Sequence, residues 1–348
     1  MDKKNHHFVP QFYLRNFSND NKSMGMFLLD KQKYIPCASI KKTAYREYLY
    51  GENGTIENGL ANNEGKWSKI INKIIAAEKI DLDDEEEYIT LLLFLTLTEA
   101  RTSQMADYNN AQISTTANLL FKMKEGKDRD LGVHYDIPNL ISMQTATKLT
   151  PMLTDLNLLL VINESNRGFI TSDNPVVRYN QFFVFRNYYR NYGLGHMGIQ
   201  LFVPLNPKIC LCVYDDVMYS PITKDVVTIH SGSQINELNK LFLLNAYERI
   251  FFNNIQKESY IKCLSKYSKG KKAFDIPILG ARNHYLIPYS HESVKERIKL
   301  DFFKINPDLT TLPLPLHMAG PMRPQAEEFS AWLKSESKNS KEDEQDEE

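Results

Sequence analysis

The order of elements along this chain predicts an α+β protein: a mainly helical N-terminal half, a central antiparallel or mixed sheet, a further C-terminal helix and a disordered acidic tail. Three observations lead there. Helical periodicity governs the chain up to about residue 150, the period then changes to short apolar or alternating runs, and helical spacing returns near residue 233. Helices followed by strands and then a helix differ from the regular βαβ alternation of a parallel, doubly wound sheet.

Taken in order, Pro10 is suited to open a short helix with Phe12, Tyr13 and Phe17 on its apolar face, because proline at a first helical position gives up no hydrogen bond. Strand and turn signals follow at residues 26–29 and 45–50. From 56 to 79, Leu60, Trp67, Ile70, Ile71, Ile74 and Ile75 recur at helical spacing. Asp83, Asp84 and the glutamates after them start the next helix, where acidic groups meet the positive end of the helix dipole. That helix is expected to run past Arg101, and another covers 139–149 after Pro138. Strands are predicted at 158–162, 168–171, 182–185, 199–203, 209–214 and 226–230, separated by Gly, Pro, Asn and Asp. A helix over 233–253 has Ile235, Leu238, Leu241, Phe242 and Ala246 on its apolar side. Residues 307–324 read as an extended, proline-rich arm. The domain reading is a core over 1–255, an extension packing on it over 256–333, and a disordered tail over 334–348.

Composition excludes several classes. Lysine plus arginine (42) nearly balances aspartate plus glutamate (43), and the tail 337–348, SKNSKEDEQDEE, holds much of the acid. The remaining body is mildly basic, which permits phosphate contact but falls short of a dedicated DNA binder. The four cysteines form no C-x-x-C pair; Cys210 and Cys212 share a predicted strand, whose alternation points both to one face as small core residues. No disulfide framework or structural zinc site is indicated. The N-terminus lacks the apolar segment of a secretory signal, and the longest apolar run, 88–98, is too short to span a bilayer. A cytoplasmic protein without a membrane partner is expected.

Residues able to carry chemistry are scattered. His6 and His7 precede a proline-initiated helix and could serve as metal ligand, general base or phosphate donor; a local cap with one exposed histidine is the plainer alternative. Glu57 and Glu64 lie seven positions apart, close to two helical turns, and so share a face towards Trp67. A solvated helix edge would look the same. Glu99 falls on a buried-looking face of the most hydrophobic helix and needs a partner, catalytic or structural. Arg101, planar and always charged, suits bidentate binding of carboxylate or phosphate. In 169–176, a buried strand ends in Thr171, Ser172, Asp173, Asn174 and Pro175, which fits either a catalytic strand end or a local side-chain-capped turn. Gly-rich phosphate loops, the nucleophile elbow, H-E-x-x-H and zinc-deaminase patterns are missing from the sequence, as is the Glu-x-Lys strand of a common restriction-nuclease core. The abundant aromatics fall in predicted core segments, with no base-stacking platform evident.

The run from His6 to Phe17, HHFVPQFYLRNF, resembles the opening signature HHxVPxxYLxxF of the bacterial domain-of-unknown-function family 4238. The Glu57–Glu64 helix, 94–101, 171–175, Pro204-Leu205-Asn206-Pro207 and 235–249 are similar to its later blocks. Coverage runs from residue 5 to about 255. The resemblance implies an architecture and brings no established activity. It places His6, His7, Glu57, Arg101 and Asp173 in family motifs, which favours one shared site, and it hints at bacterial defence or mobile-element contexts.

The resulting expectation is a hydrolase, as a metal-dependent nuclease in bacterial defence or as a toxin effector, with a nucleic acid substrate. His6, His7, Glu57, Glu64, Arg101 and Asp173 form its catalytic set; His7 and Asp173 would bind Mg2+ or Mn2+, with no organic cofactor. The alternative is a non-catalytic sensor or regulatory protein for a small anionic ligand or a protein partner. Such a partner could also be engaged through the acidic tail.

Overall fold

A computed structural model describes residues 4–186, 193–253, 256–268, 294–306 and 321–346. The chain opens with β1 (Asn5–His7) and passes through Pro10 into α1 (Gln11–Arg15), which buries Tyr13 and Leu14. The hairpin β2 (Ser23–Leu28) and β3 (Lys33–Ser39) follows. Next, β4 (Tyr45–Glu47) returns to pair antiparallel with β1, setting His6 opposite Arg46 and His7 opposite Tyr45. Four helices complete the helical half: α2 (Thr55–Ala77), α3 (Glu85–Ala100), α4 (Ser103–Glu125) and α5 (Leu140–Leu149).

The remainder carries β5 (Asn157–Asn163), β6 (Thr171–Ser172), β7 (Val177–Tyr179), the short helix α6 (Gln181–Phe185), β8 (Gln200–Pro204) and β9 (Ile209–Tyr214). Then come β10 (Tyr219–Pro221), β11 (Val226–Ile229), α7 (Gly232–Asn245), β12 (Arg249–Phe252), α8 (Glu258–Leu264), β13 (Phe303–Ile305) and α9 (Pro324–Asp346). A five-stranded sheet has the order β11-β5-β9-β8-β7, and a four-stranded one β3-β2-β12-β6. Within the first, β11 lies parallel to β5 while the other pairs are antiparallel, so this sheet is mixed. One apolar core joins α1, α2 and α3 to both sheets, with Trp67, Phe94, Leu160 and Phe251 all buried in it. Cys210 and Cys212 lie buried in β9, where desolvation pushes both thiols up and leaves them inert.

The α+β order stands, and four local expectations change. The helix expected to run past Arg101 stops at Ala100: Arg101 caps it, and the Thr102 hydroxyl accepts the Met105 N–H at 3.3 Å to start α4. Residues 182–185, expected as a strand, form α6 because the Asn180 side chain accepts the Phe183 N–H at 2.9 Å. Gln181–Val184 are all buried, so no alternation could tell helix from strand. The helix expected over 233–253 ends at Asn245, and its second part becomes β12 between β2 and β6. In the predicted strand 168–171, regular pairing begins only at Thr171.

At the C-terminal end, β13 pairs with β10. Arg323, buried, reaches Asp155 Oδ2 at 2.8 Å and the carbonyls of Leu194 and Met152, which anchors the start of α9. From there α9 runs to Asp346. Of the predicted arm 307–324, residues 307–320 lie outside the described residues. No described helix is long and apolar enough to cross a membrane.

Gly25 faces Phe252 across the β2–β12 pairing, and a Cβ there would collide with the phenyl ring. Gly25→Ala is therefore expected to cost about 1–3 kcal/mol through overpacking. Thermal unfolding of the variant, showing a lowered Tm, checks it.

Candidate functional site

The site is organised around Arg101, at the corner between α3 and α4 and 1 % exposed. A guanidinium so placed needs partners for its charge and for its donors. Nε donates to the Tyr50 hydroxyl at 3.2 Å, and Nη2 donates to the His7 carbonyl at 2.5 Å. Nη1 lies 2.8 Å from Glu64 Oε1, an ion pair set off the line of a good hydrogen bond. Burial works against the charge, but Tyr50 and Glu64 more than offset it and hold the guanidinium above its ordinary range. The Tyr50 hydroxyl donates in turn to the Arg101 carbonyl at 3.2 Å, satisfying a backbone group at the helix end.

Tyr50 draws in the remaining residues of this cluster. Its backbone N–H donates to His6 Nδ1 at 3.0 Å, and its ring stacks on the His6 imidazole with centroids 5.4 Å apart and planes 6° apart. Burial pushes the Tyr50 hydroxyl up, Arg101 pulls it down, and the charges of Glu57 and Glu64 push it up. Both glutamates therefore act on the same point, as their shared face of α2 requires, and both are only partly buried. His7 points to the other face of β1, as strand alternation demands, and is half-buried. Its Nδ1 faces the Gln11 side-chain amide at 3.2 Å, and its ring lies 5.8 Å from that of Tyr45.

Asp173 occupies a different environment. It is 1 % exposed, and its two oxygens accept the backbone N–H groups of Tyr247 (2.8 Å), Glu248 (2.8 Å) and Arg249 (3.1 Å). A helix continuing past Asn245 would need those same N–H groups, which is why β12 replaces it. Burial pushes the carboxyl up to about 6, against the pull of the N–H groups and Arg249. Ser172 and Asn174 bond to each other in a local turn, and Asn174 also bonds to Gln104 and to the Asn245 carbonyl. This is the turn alternative foreseen for 171–175. Glu99 likewise takes its structural alternative, as an ion pair with Arg178 at 2.5 Å.

A third group, missed from sequence, lies alongside. Arg46 clasps Asp107 with two bonds of 2.7 and 2.6 Å, and the Tyr247 hydroxyl donates to Asp107 at 2.9 Å. Asp107 stands six residues beyond Arg101, near the start of α4, and no local sequence feature marks it. Tyr50 was missed as well, although it sits among several tyrosines directly before a glycine.

The structure thus brings His6, Glu57, Glu64 and Arg101 around Tyr50, with His7 contributing only its carbonyl, and commits Asp173 to the backbone of 247–249. Among the described residues, no group of three or more His, Cys, Asp or Glu side chains is set to hold a metal ion. Chemically, the Tyr50 cluster offers two partly buried carboxylates, behind which Arg101 is locked, while the His6 ring is buried and the His7 ring, on the other face of β1, has its Nε2 buried. These features define an α+β protein whose dispersed motif residues are tied by one buried arginine. The family described as Protein of unknown function (DUF4238) matches residues 5–256, and the chain belongs to that family. No curated protein and no solved structure matches it.

Removing Arg101 leaves Glu64 and the His7 carbonyl without their partner. Arg101→Met is expected to lower unfolding stability by about 3–5 kcal/mol, the usual cost of breaking a buried pair, read as a shifted denaturant midpoint. The carboxyl of Asp173 titrates higher when folded, at about 6, than its ordinary 3.8. Native protein then takes up this proton first as pH falls. Its contribution to stability is full below the ordinary value and is lost as pH rises through the folded one. Urea unfolding between these two pH values should show that decline in wild type, and Asp173→Asn should flatten it.

Proposed function

We propose that this chain is a hydrolase of nucleic acid phosphodiesters, acting in bacterial defence or as a toxin effector, with Glu57 and Glu64 as its acid–base groups. The observation that carries this reading is the convergence of His6, the His7 carbonyl, Glu57, Glu64 and Arg101 on Tyr50 from three separate stretches of chain. Paired carboxylates at a partly open surface are groups that move protons to and from a reacting oxygen or water. Arg101, with its donors held by the protein, and His6, bonded to the Tyr50 backbone, act as positioning residues. Asp173 positions the 247–249 backbone.

Among the described residues no three-ligand group suits Mg2+ or Mn2+, and the Asp173 oxygens are already engaged, so this reading takes no step through a metal ion. A second reading is favoured by the way Arg101 closes the cluster on itself. On that reading the protein is a regulatory binder of a small anionic ligand or of a protein engaged through the acidic part of α9.

The test uses purified wild type, His7→Ala and Glu64→Gln, with Asp173→Asn as a comparison, on single- and double-stranded DNA and RNA with Mg2+ or Mn2+. Wild type is expected to cleave, Glu64→Gln to lose about 10²–10⁴-fold, as for a general acid–base group, and His7→Ala to keep its activity. Folding of each variant is checked by circular dichroism. Wild type that cleaves none of the substrates with either ion would replace the hydrolase with the binding reading.

A further inference from the structure

Tyr48 stands immediately outside the Tyr50 cluster in a backbone conformation that suits it badly. Its φ is +51°, in the left-handed region that glycine enters freely and a residue with a Cβ does not. The same loop uses glycine at two further left-handed positions, Gly51 (φ 84) and Gly54 (φ 69). Core packing does not account for a tyrosine at position 48, because its side chain is 39 % exposed. The backbone holds it firmly: its N–H donates to the Lys4 carbonyl at 2.9 Å, and its carbonyl accepts from Gly51 N–H at 2.9 Å. Strain kept in place around an exposed side chain points to a use for that side chain.

The ring has a defined place. Its edge meets His6 with centroids 6.4 Å apart and planes at 82°, and His6 is in turn stacked on Tyr50, whose hydroxyl meets Arg101. Tyr48 is therefore the exposed end of a series of rings leading in to the buried arginine. Beside it stands an ammonium group, Lys4 Nζ, 6.0 Å from the ring centroid. Lys4 pairs with Glu47 at 2.9 Å, but both side chains are 56 % exposed, so the pair exchanges readily with solvent and can yield to a phosphate. An exposed, immobilised aromatic ring beside a cation is the arrangement that takes an unpaired base by stacking and its phosphate by charge.

We propose that Tyr48, with Lys4, is a stacking platform for an unpaired base of single-stranded nucleic acid, at the edge of the Tyr50 cluster. This deepens the nuclease reading above and rests on it for the substrate class. A base held in a duplex has both faces covered, so single strands are preferred.

Fluorescence anisotropy with short labelled oligouridylate, oligothymidylate, a duplex of equal length and labelled AMP tests this on wild type, Tyr48→Phe and Tyr48→Leu, without added metal. Tyr48→Leu keeps a bulky side chain but loses the π face and the hydroxyl, Tyr48→Phe loses the hydroxyl alone, and equal Tm values would show that both variants fold. Single strands are expected to bind wild type and Tyr48→Phe alike, and Tyr48→Leu about tenfold more weakly, as for loss of one stacked base. Equal binding by Tyr48→Leu, no preference over duplex, or binding of AMP alone would overturn the platform. Failure of the two readings is separable. Tyr48-dependent binding without cleavage leaves the platform and removes the hydrolase. Cleavage abolished by Glu64→Gln but untouched by Tyr48→Leu removes the platform and leaves the hydrolase.

Discussion

A permanent positive charge inside the protein is the constraint on which this structure turns. Arg101 cannot shed its proton, so its surroundings must supply acceptors, and they come from three directions: the Tyr50 hydroxyl, the His7 carbonyl and the Glu64 carboxylate. Each acceptor belongs to a different element. The arginine thereby ties β1, the loop after β4 and α2 to the corner where α3 ends. Glu64 alone among these partners keeps contact with solvent, which makes it the point where the buried charge is felt at the surface.

The corner matters as much as the side chain. α3 ends at Ala100, whose carbonyl accepts from both Asn139 and Ser142; Asn139 also donates to the Thr102 carbonyl, and the Thr102 hydroxyl opens α4. Because the axis changes here, successive residues of one short stretch reach different partners. Arg101 turns to Tyr50, Gln104 to Asn174, and Asp107 to Arg46 and Tyr247. A straight helix through this region would not serve three clusters in this way. The β1–β4 pairing, which sets His6 opposite Arg46, then links the first and third of them.

Asp173 shows how one group can look catalytic and act structurally. Its burial and raised pKa are features shared with active-site acids, yet both oxygens hold backbone N–H groups that decide where α7 stops and β12 starts. The four-stranded sheet depends on that decision, since β12 is the strand that joins β2 to β6.

By itself the sequence determined the α+β order, the helices α1, α2 and α5, most strands of the five-stranded sheet and the buried character of Cys210 and Cys212. Those features follow from local periodicity and from side chains that prefer one environment. Membership of the Glu57–Glu64 pair on one helix face was legible for the same reason. Only the tertiary structure decided that α3 breaks at Arg101, that 181–185 is helical, and that 249–252 is a strand. In each case the deciding bonds come from a cap or from a residue distant in sequence. It also decided that Tyr50 joins the histidines to Arg101 while Asp173 turns to 247–249. Hydrogen bonds between residues so far apart leave no periodic trace in the chain, because they depend on where the folded backbone carries each group.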